Sequence, residues 1–245
     1  MRRLTARDVL EVWEEGERQH PIDRALTLLA TAWPERSRDE LAALPLGECN
    51  GALLALRERL FGPRIVGIQP CAACGEELEI PLSTTDLRRE LEAGPAAGPG
   101  AFTAGGVELR FRPLDSRDLA AAVTAPDARR ARRLLAERSV LSAHRGTVPV
   151  ACEELSEEIV EALAERLAES DPGAEIRLEG RCPGCDRASS IELDPGELLW
   201  TEVRALARRL LSEVALLASS FHFGETEILA MSPARRRAYL EMLGG

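Results

Sequence analysis

Cys71-Ala-Ala-Cys74 lies between two strand-like runs, Ile65-Val66-Gly67-Ile68 and Leu78-Glu79-Ile80-Pro81-Leu82. A second stretch, Cys182-Pro-Gly-Cys185, lies between Ile176-Arg177-Leu178 and Ser190-Ile191-Glu192-Leu193. Each cysteine pair therefore marks the turn of a predicted β-hairpin. An aspartate and a helix-like stretch follow both hairpins. This repeated setting is the strongest indication of the fold.

Four cysteines in two Cys-x-x-Cys turns predict a closed tetrahedral zinc site. The gap of two residues lets both sulfurs of one turn approach the same ion from one side. The predicted ligands are Cys71, Cys74, Cys182 and Cys185. Since thiolates would fill all four positions, no position is left for a substrate, and we expect the zinc to be structural rather than catalytic.

The distance in sequence between the two pairs is unusual for such a site. Roughly a hundred residues lie between them, where the common signature allows about fifteen to twenty. Loop-closure entropy grows only logarithmically, so the longer insert costs ~1.5 to 2 kcal/mol more. Zinc binding at a structural site contributes on the order of 10 kcal/mol. The length of the insert therefore does not exclude a shared ion.

Other chemistries use the same residues. A redox-active disulfide in each pair is one alternative, but no βαβ pattern surrounds either pair. An iron–sulfur cluster also takes four thiolates, although the position at hairpin tips favours zinc. Cys49 and Cys152 have no partner at ligand spacing, and we interpret them as small core residues.

Length and composition indicate an ordinary globular protein. The 245 residues, of which 45% are hydrophobic, can form one large domain or two modest ones. No run of eighteen uncharged apolar residues occurs, and the N-terminus enters a charged amphipathic pattern without an apolar signal core. We therefore expect a cytoplasmic protein with reduced thiols and no membrane association.

The charge argues against nucleic acid as a partner. The formal net charge is -10, which repels phosphate backbones. Two arginine-rich runs, residues 129–133 and 235–237, lie in helical patterns, and we interpret them as solvated helix faces. We therefore do not expect nucleic acid to be a partner of this chain.

Periodicity and turn signals divide the chain into six segments. These are an N-terminal helical region (1–63), the first zinc-knuckle hairpin (64–92), a flexible Gly/Pro/Ala linker (93–106), a strand and helical insert (107–173), the second zinc-knuckle hairpin (174–194) and C-terminal helices (195–245). Within the insert, residues 107–112 alternate as a half-buried strand does, and residues 127–143 and 155–170 have helical spacing. Residues 196–219 form an apolar pattern that predicts a helix at the centre of the core.

These segments predict an α+β fold that is predominantly α-helical. The two Cys-x-x-Cys hairpins would meet across a pseudo-twofold axis and form one small antiparallel zinc-ribbon sheet. The strand at 107–112 is a candidate to extend that sheet. The helical insert would lie between the hairpins.

No cluster of catalytic residues is visible in the sequence. The histidines are His20, His144 and His222, and no phosphate-binding Gly-rich turn, nucleophile elbow or metalloprotease helix occurs. His222 lies between two phenylalanines, and we interpret it as a packed side chain rather than a ligand or base. We expect a protein that is not an enzyme and has no small-molecule substrate.

Several blocks of sequence together resemble a known family. They are Leu44 to Asn50, Leu56 to Pro63, the two cysteine turns, Asp194 to Trp200, and Glu225 to Pro233 followed by Arg235-Arg236 and Tyr239 to Met242. In these blocks the chain resembles the T-even-type baseplate hub assembly chaperones, which are encoded beside the baseplate and spike genes of contractile-tail phages and related contractile injection systems. The C-terminal block is the most specific of the set.

One departure from the family pattern concerns the second turn. Asp186 stands where a glycine usually follows a zinc knuckle. Glycine is favoured there because a left-handed backbone costs it nothing, and aspartate tolerates that conformation better than most residues. We therefore expect the second turn to form with Asp186 in a left-handed conformation.

The resemblance implies an assembly factor of the bacterial cytoplasm, associated with the assembling particle, whose partners are baseplate hub or spike proteins. A chaperone of this kind would shield an apolar partner surface. The candidate contacts are Ile228, Leu229, Arg235, Arg236, Tyr239 and Leu240. Packing of these side chains within the protein is the alternative.

Two other functions stay open at this point. One is a structural baseplate component that is retained in the particle, and the other is a nucleic-acid-binding zinc-ribbon protein. The sequence leaves the oligomeric state undetermined.

Overall fold

The computed structural model describes residues 1–94 and 97–244 of the chain. In these residues the helices are α1 (Ala6–Gly16), α2 (Pro21–Ala32), α3 (Arg38–Ala42), α4 (Leu46–Phe61), α5 (Thr84–Ala93), α6 (Ser116–Ala122), α7 (Ala128–Ser139), α8 (Glu157–Ser170), α9 (Pro195–Phe221), α10 (Glu225–Ala230) and α11 (Pro233–Gly244). The strands are β1 (Arg64–Pro70), β2 (Glu77–Ser83), β3 (Gly100–Ala104), β4 (Val107–Phe111), β5 (Val140–Arg145), β6 (Val148–Pro149), β7 (Ile176–Arg181) and β8 (Ala188–Leu193). The prediction of a mostly helical fold with small antiparallel sheets is confirmed.

The chain forms two compact units. The first contains Met1–Glu35 and Gly196–Gly245, and the second contains Arg36–Pro195. All four cysteines of the predicted metal site belong to the second unit.

Trp200 on α9 is at the centre of the first unit. Its side chain is almost fully buried, and its ring lies so close to Gly16 at the end of α1 that a β-carbon there would collide with it. The guanidinium of Arg24 on α2 lies 4.9 Å from the centre of the same ring. Trp200 thus brings α1 and α2 together on α9 through apolar packing and a cation–π contact.

The prediction that α9 lies at the centre of the core is correct for part of the helix. Leu199, Val203 and Leu210 are buried, in line with the helical spacing. Leu211 and Leu216, in contrast, are 38% and 53% exposed. The second half of the helix therefore buries only a narrow stripe of its apolar residues.

The strands described in the second unit form three separate sheets, and this corrects our sheet prediction. β1 pairs with β2, and β7 pairs with β8, each as an antiparallel sheet of two strands. The two hairpins therefore do not form one continuous sheet. β4 extends neither of them, because it belongs to a third sheet of four strands in the order β3-β4-β5-β6.

Two further predictions, one in the linker and one in the insert, are wrong. Residues 93–106 were expected to lack regular structure, but residues 100–104 form β3, which pairs with β4 through a tight turn at Gly105 and Gly106. The predicted helix over 127–143 ends at Ser139, and residues 140–145 form β5. Backbone pairing with β4 makes both segments strands, and this pairing is not visible in local sequence patterns. Residues 95 and 96 of the predicted linker lie outside the described residues.

The four-stranded sheet packs on α8. Val107, Leu109 and Phe111 alternate along β4 and are buried, as the period of two predicts. They form one apolar cluster with residues of α8 that include Val160 and Leu163. The insert is thus a small sheet-and-helix body with its own core.

A close backbone contact connects the start of α4 with the segment after α8. The N–H of Gly47 donates to Oδ2 of Asp171 at 3.0 Å, and Asn50 donates to the carbonyl of Gly173 at 2.9 Å. A β-carbon on Gly47 or on Gly173 would collide with the opposite segment. Asp171 therefore takes the place of a local capping side chain, which Pro45 before α4 cannot supply.

Asp118 on α6 is the charged centre of the insert. Its side chain is fully buried and accepts hydrogen bonds from Arg112 at 2.7 and 3.0 Å and from Nε of Arg138 at 2.8 Å. The N–H of Asp115 donates to the same carboxylate at 3.0 Å. Burial alone would raise the pKa of Asp118, but these donors outweigh it and hold the pKa below its usual range.

We predict that Asp118→Asn lowers the free energy of unfolding by about 2 kcal/mol at neutral pH, because Arg138 loses its anionic partner and Arg112 keeps only Asp115, at 3.8 Å. A lowered pKa stabilises the fold above the pKa of the unfolded chain, about 4, and this contribution is lost as the pH falls through the folded value. Urea unfolding at several pH values measures the difference. Asp86→Asn, which removes an exposed pair with Arg89, should change stability by less than about 0.5 kcal/mol. If the loss in the free energy of unfolding caused by Asp118→Asn stayed constant from neutral to acidic pH, this account would be contradicted.

Candidate metal centre

The first cysteine turn follows β1 directly. The N–H of Cys71 donates to the carbonyl of Glu76 at 2.8 Å, and the N–H of Gly75 donates to the carbonyl of Cys71 at 2.9 Å. Gly75 has a φ of 77°, in the left-handed region. These bonds close the turn and hold both sulfurs on one side of it.

The second turn has the same hydrogen bonds at the equivalent positions. Cys182 donates to the carbonyl of Arg187 at 3.0 Å, and Asp186 donates to the carbonyl of Cys182 at 2.9 Å. Asp186 has a φ of 56°, so the expectation that it adopts the left-handed conformation is confirmed. Arg181 also donates to the backbone carbonyl of Asp186 at 3.1 Å and to its carboxylate at 3.0 Å. The aspartate is thereby held in a conformation that glycine would adopt freely.

The structure brings all four cysteines of the two turns together. Sγ of Cys71 lies 3.8 Å from Sγ of Cys185, and Sγ of Cys74 lies 3.6 Å from Sγ of Cys182. All four sulfurs lie within 4.8 Å of one another. A tetrahedral ion with metal–sulfur bonds of about 2.3 Å requires sulfurs about 3.8 Å apart. The four side chains are therefore arranged to hold one metal ion.

The sulfur cluster has a buried side and an exposed side. Cys71 and Cys182 are buried and form an apolar cluster with Leu78 of β2, whereas Cys74 and Cys185 are exposed. Within the described residues, the group of side chains that could hold an ion consists of these four cysteines and includes no histidine or carboxylate. The arrangement offers an ion four sulfur ligands and access from solvent on one side.

The turns also set the acidity of the thiols. Backbone N–H groups of Ala73 and Cys74 point at the sulfur of Cys71 and lower the pKa of Cys71 to about 6. The N–H of Glu76 favours the thiolate of Cys74, but the sulfurs of Cys182 and Cys185 outweigh it and raise the pKa of Cys74 to about 12. A cation must therefore displace protons from part of this cluster when it binds.

Leu78 is a residue of the site that our sequence reasoning missed. It is 4% exposed and packs on the two buried sulfurs. The alternation of β2 contains the signal, because Leu78 and Ile80 share one face of the strand while Glu77 and Glu79 share the other. An apolar side chain on the metal side of the hairpin keeps water away from half of the cluster.

The two remaining cysteines lie outside the sulfur cluster. Cys49 is buried on α4. Burial raises the pKa of its thiol to about 11, although a hydrogen bond with Ser116 acts to lower it. Cys152 is half-buried and packs against the core of the insert. Their interpretation as core residues agrees with these positions.

His222 and two of the predicted partner contacts lie where we did not expect them. His222 is exposed with a φ of 57°, so it is not packed, while Phe221 and Phe223 on either side stack on each other with ring centres 5.6 Å apart. Ile228 is fully buried. Arg236 is also buried and donates to Glu213 at 2.8 Å, so these two side chains stabilise the first unit and offer no surface to a partner.

The other predicted contacts lie at or near the surface. Arg235 is exposed above the ring of Tyr239, at 5.8 Å from its centre. Leu229, Tyr239 and Leu240 are half-buried. Their role as partner contacts stays a prediction.

Comparisons with protein-family models, with curated proteins and with solved structures find no match for this chain. Within the described residues, no helix combines the length and the apolar character that a membrane span needs.

We predict that Cys74→Ser weakens binding of a thiophilic divalent cation by more than about a hundredfold, since loss of an outer-shell partner alone costs about 10–100-fold. Titration with Co²⁺, followed by the absorption bands of its tetrahedral thiolate complex, measures affinity and stoichiometry. Cys152→Ser is the matched control and should bind one ion per chain with unchanged affinity. If Cys74→Ser bound Co²⁺ as tightly as the unchanged chain, Cys74 would not be a ligand.

Proposed function

We propose that the sulfur cluster binds one structural zinc ion and that the two hairpins together act as a zinc ribbon. The spacing of the four sulfurs is the observation that carries this proposal, because it fits a single tetrahedral ion. Thiolate ligands select zinc over hard cations such as magnesium. A cluster of several iron and sulfide atoms would need its ligands farther apart.

The zinc ion would hold together segments that are distant in sequence. Cys74 and Cys182 are 108 positions apart, and the two hairpins share no backbone pairing. Binding of the ion would thus stabilise the second unit by linking the two hairpins across the long insert between them. With sulfur in all four positions, the ion would have no catalytic role.

We further propose that the protein is a non-catalytic assembly chaperone or adaptor for the baseplate hub or spike of a phage-like contractile injection system. The sequence blocks that resemble the T-even-type hub assembly chaperones support this function. Acting before the particle is complete, such a protein would bind a hub or spike component and leave the finished particle. The zinc-clamped unit would provide a rigid frame for the surface that binds the partner.

The test is co-expression of the chain with the hub and spike genes of its own gene cluster, followed by affinity purification and by mass spectrometry of finished particles. We expect a hub or spike protein to co-purify with the chain, and we expect the chain to be absent from the finished particles. Cys74→Ser should reduce the recovery of the partner, whereas Cys152→Ser should not. A stoichiometric amount of the chain in finished particles would instead identify a structural component, and absence of both hub and spike proteins would contradict the assignment.

A further inference from the structure

The second unit has an apolar groove between α7 and α8. Its volume is about 200 Å³. Ala136 and Val160 form a buried floor, and Ala164 and Ala168 line an exposed side. We call it the α7–α8 groove; its lining is completed by Leu114, Arg132, Leu135, Leu167, Asp171, Ala174 and Glu175.

The size of the groove suits one large apolar side chain. A protein cavity of about 150 Å³ is known to accept benzene, so this volume accommodates a leucine or phenylalanine side chain. Ala164 and Ala168 are one turn apart on α8, and their short side chains leave the groove uncovered from solvent. An apolar concavity of this kind is a typical anchor site for a partner residue.

The charges beside the groove favour a basic partner. Glu161 and Glu165 lie on α8 three positions before Ala164 and Ala168, so their side chains are next to the two alanines. Neither glutamate makes a hydrogen bond or an ion pair within the described chain. Of the acids that line the groove, Asp171 accepts the N–H of Gly47, and Glu175 is paired with Arg177.

Arg132 is the cation that lines the groove on the α7 side, and it makes no hydrogen bond or ion pair within the described residues. The two unpaired acids outnumber it. The chain as a whole carries a formal charge of -10, which attracts a basic partner over longer distances.

We propose that the α7–α8 groove binds an amphipathic helix of a protein partner. One apolar side chain of that helix enters the groove, and basic side chains on its flank lie beside Glu161 and Glu165. This is the helix-in-groove mode, in which anchors at helical spacing provide affinity and flanking charges provide orientation. The inference deepens the proposed function, because it names the surface and the chemistry with which an assembly chaperone of this kind would hold its partner.

The test uses the full, metal-loaded chain and two synthetic helical peptides. One peptide carries leucine at positions i, i+3, i+4 and i+7 with lysine elsewhere, and the second carries glutamate in place of each lysine. Fluorescence anisotropy of the labelled peptides measures binding. We expect the lysine peptide to bind at least about tenfold more tightly than the glutamate peptide, with a preference that weakens as salt is added.

Two variants locate the binding site. Ala168→Arg fills the groove and adds a positive charge, so we expect it to weaken binding of the lysine peptide by about tenfold or more. Ala215→Arg makes the same change at an exposed alanine in the second half of α9 and should leave the affinity unchanged. The double variant Glu161→Gln with Glu165→Gln keeps the groove open and should lower both the affinity and its salt dependence.

Equal binding of the lysine peptide to Ala168→Arg and to the unchanged chain would overturn the proposal. So would a dimer of the unchanged chain that Ala168→Arg dissociates, because the occupant would then be a second copy. Metal content is measured on every variant. If the groove proposal fails while each chain still binds one ion, the zinc ribbon is unaffected. If the chain does not bind the ion, the result counts against the proposed function instead.

Discussion

The second unit depends on four sulfurs that meet at one point. Two turns with the same backbone hydrogen bonds, one at Gly75 and one at Asp186, each place a pair of cysteines on one side. Because the sulfur separations of 3.6 and 3.8 Å match a single tetrahedral ion, an ion bound there would hold the hairpins together without a shared sheet. Such an ion would let the two small sheets coexist without pairing.

The start of α4, which precedes the first hairpin, lies against the end of the insert between the hairpins. Gly47 and Gly173 approach so closely that neither position has room for a side chain, and Asp171 caps the helix that begins there. Leu54 on the same helix packs with Leu87 after the first hairpin and with Ile176 in the second. Helix α4 therefore joins both hairpins through apolar contacts, and the sulfur cluster adds a second connection between them.

The sequence predicted those features that depend on local chemistry. The cysteine spacing predicted that the four sulfurs come together, and the alternation of residues 107–112 predicted β4. The tolerance of aspartate for a left-handed backbone predicted that the second turn forms with Asp186. Features that depend on distant pairing were missed. β3 and β5 form because β4 offers them its two edges, and a Gly-rich or Arg-rich local sequence gives no sign of that. The sequence also offered no sign that Asp171 caps α4, because Asp171 and its partner Gly47 are 124 positions apart.

X-ray absorption at the metal edge of the purified chain tests the central claim most directly. The account predicts zinc with four sulfur neighbours at about 2.3 Å and no second metal atom nearby. Nitrogen or oxygen atoms in the inner shell, or fewer than four sulfurs, would show that the two cysteine turns do not share one ion.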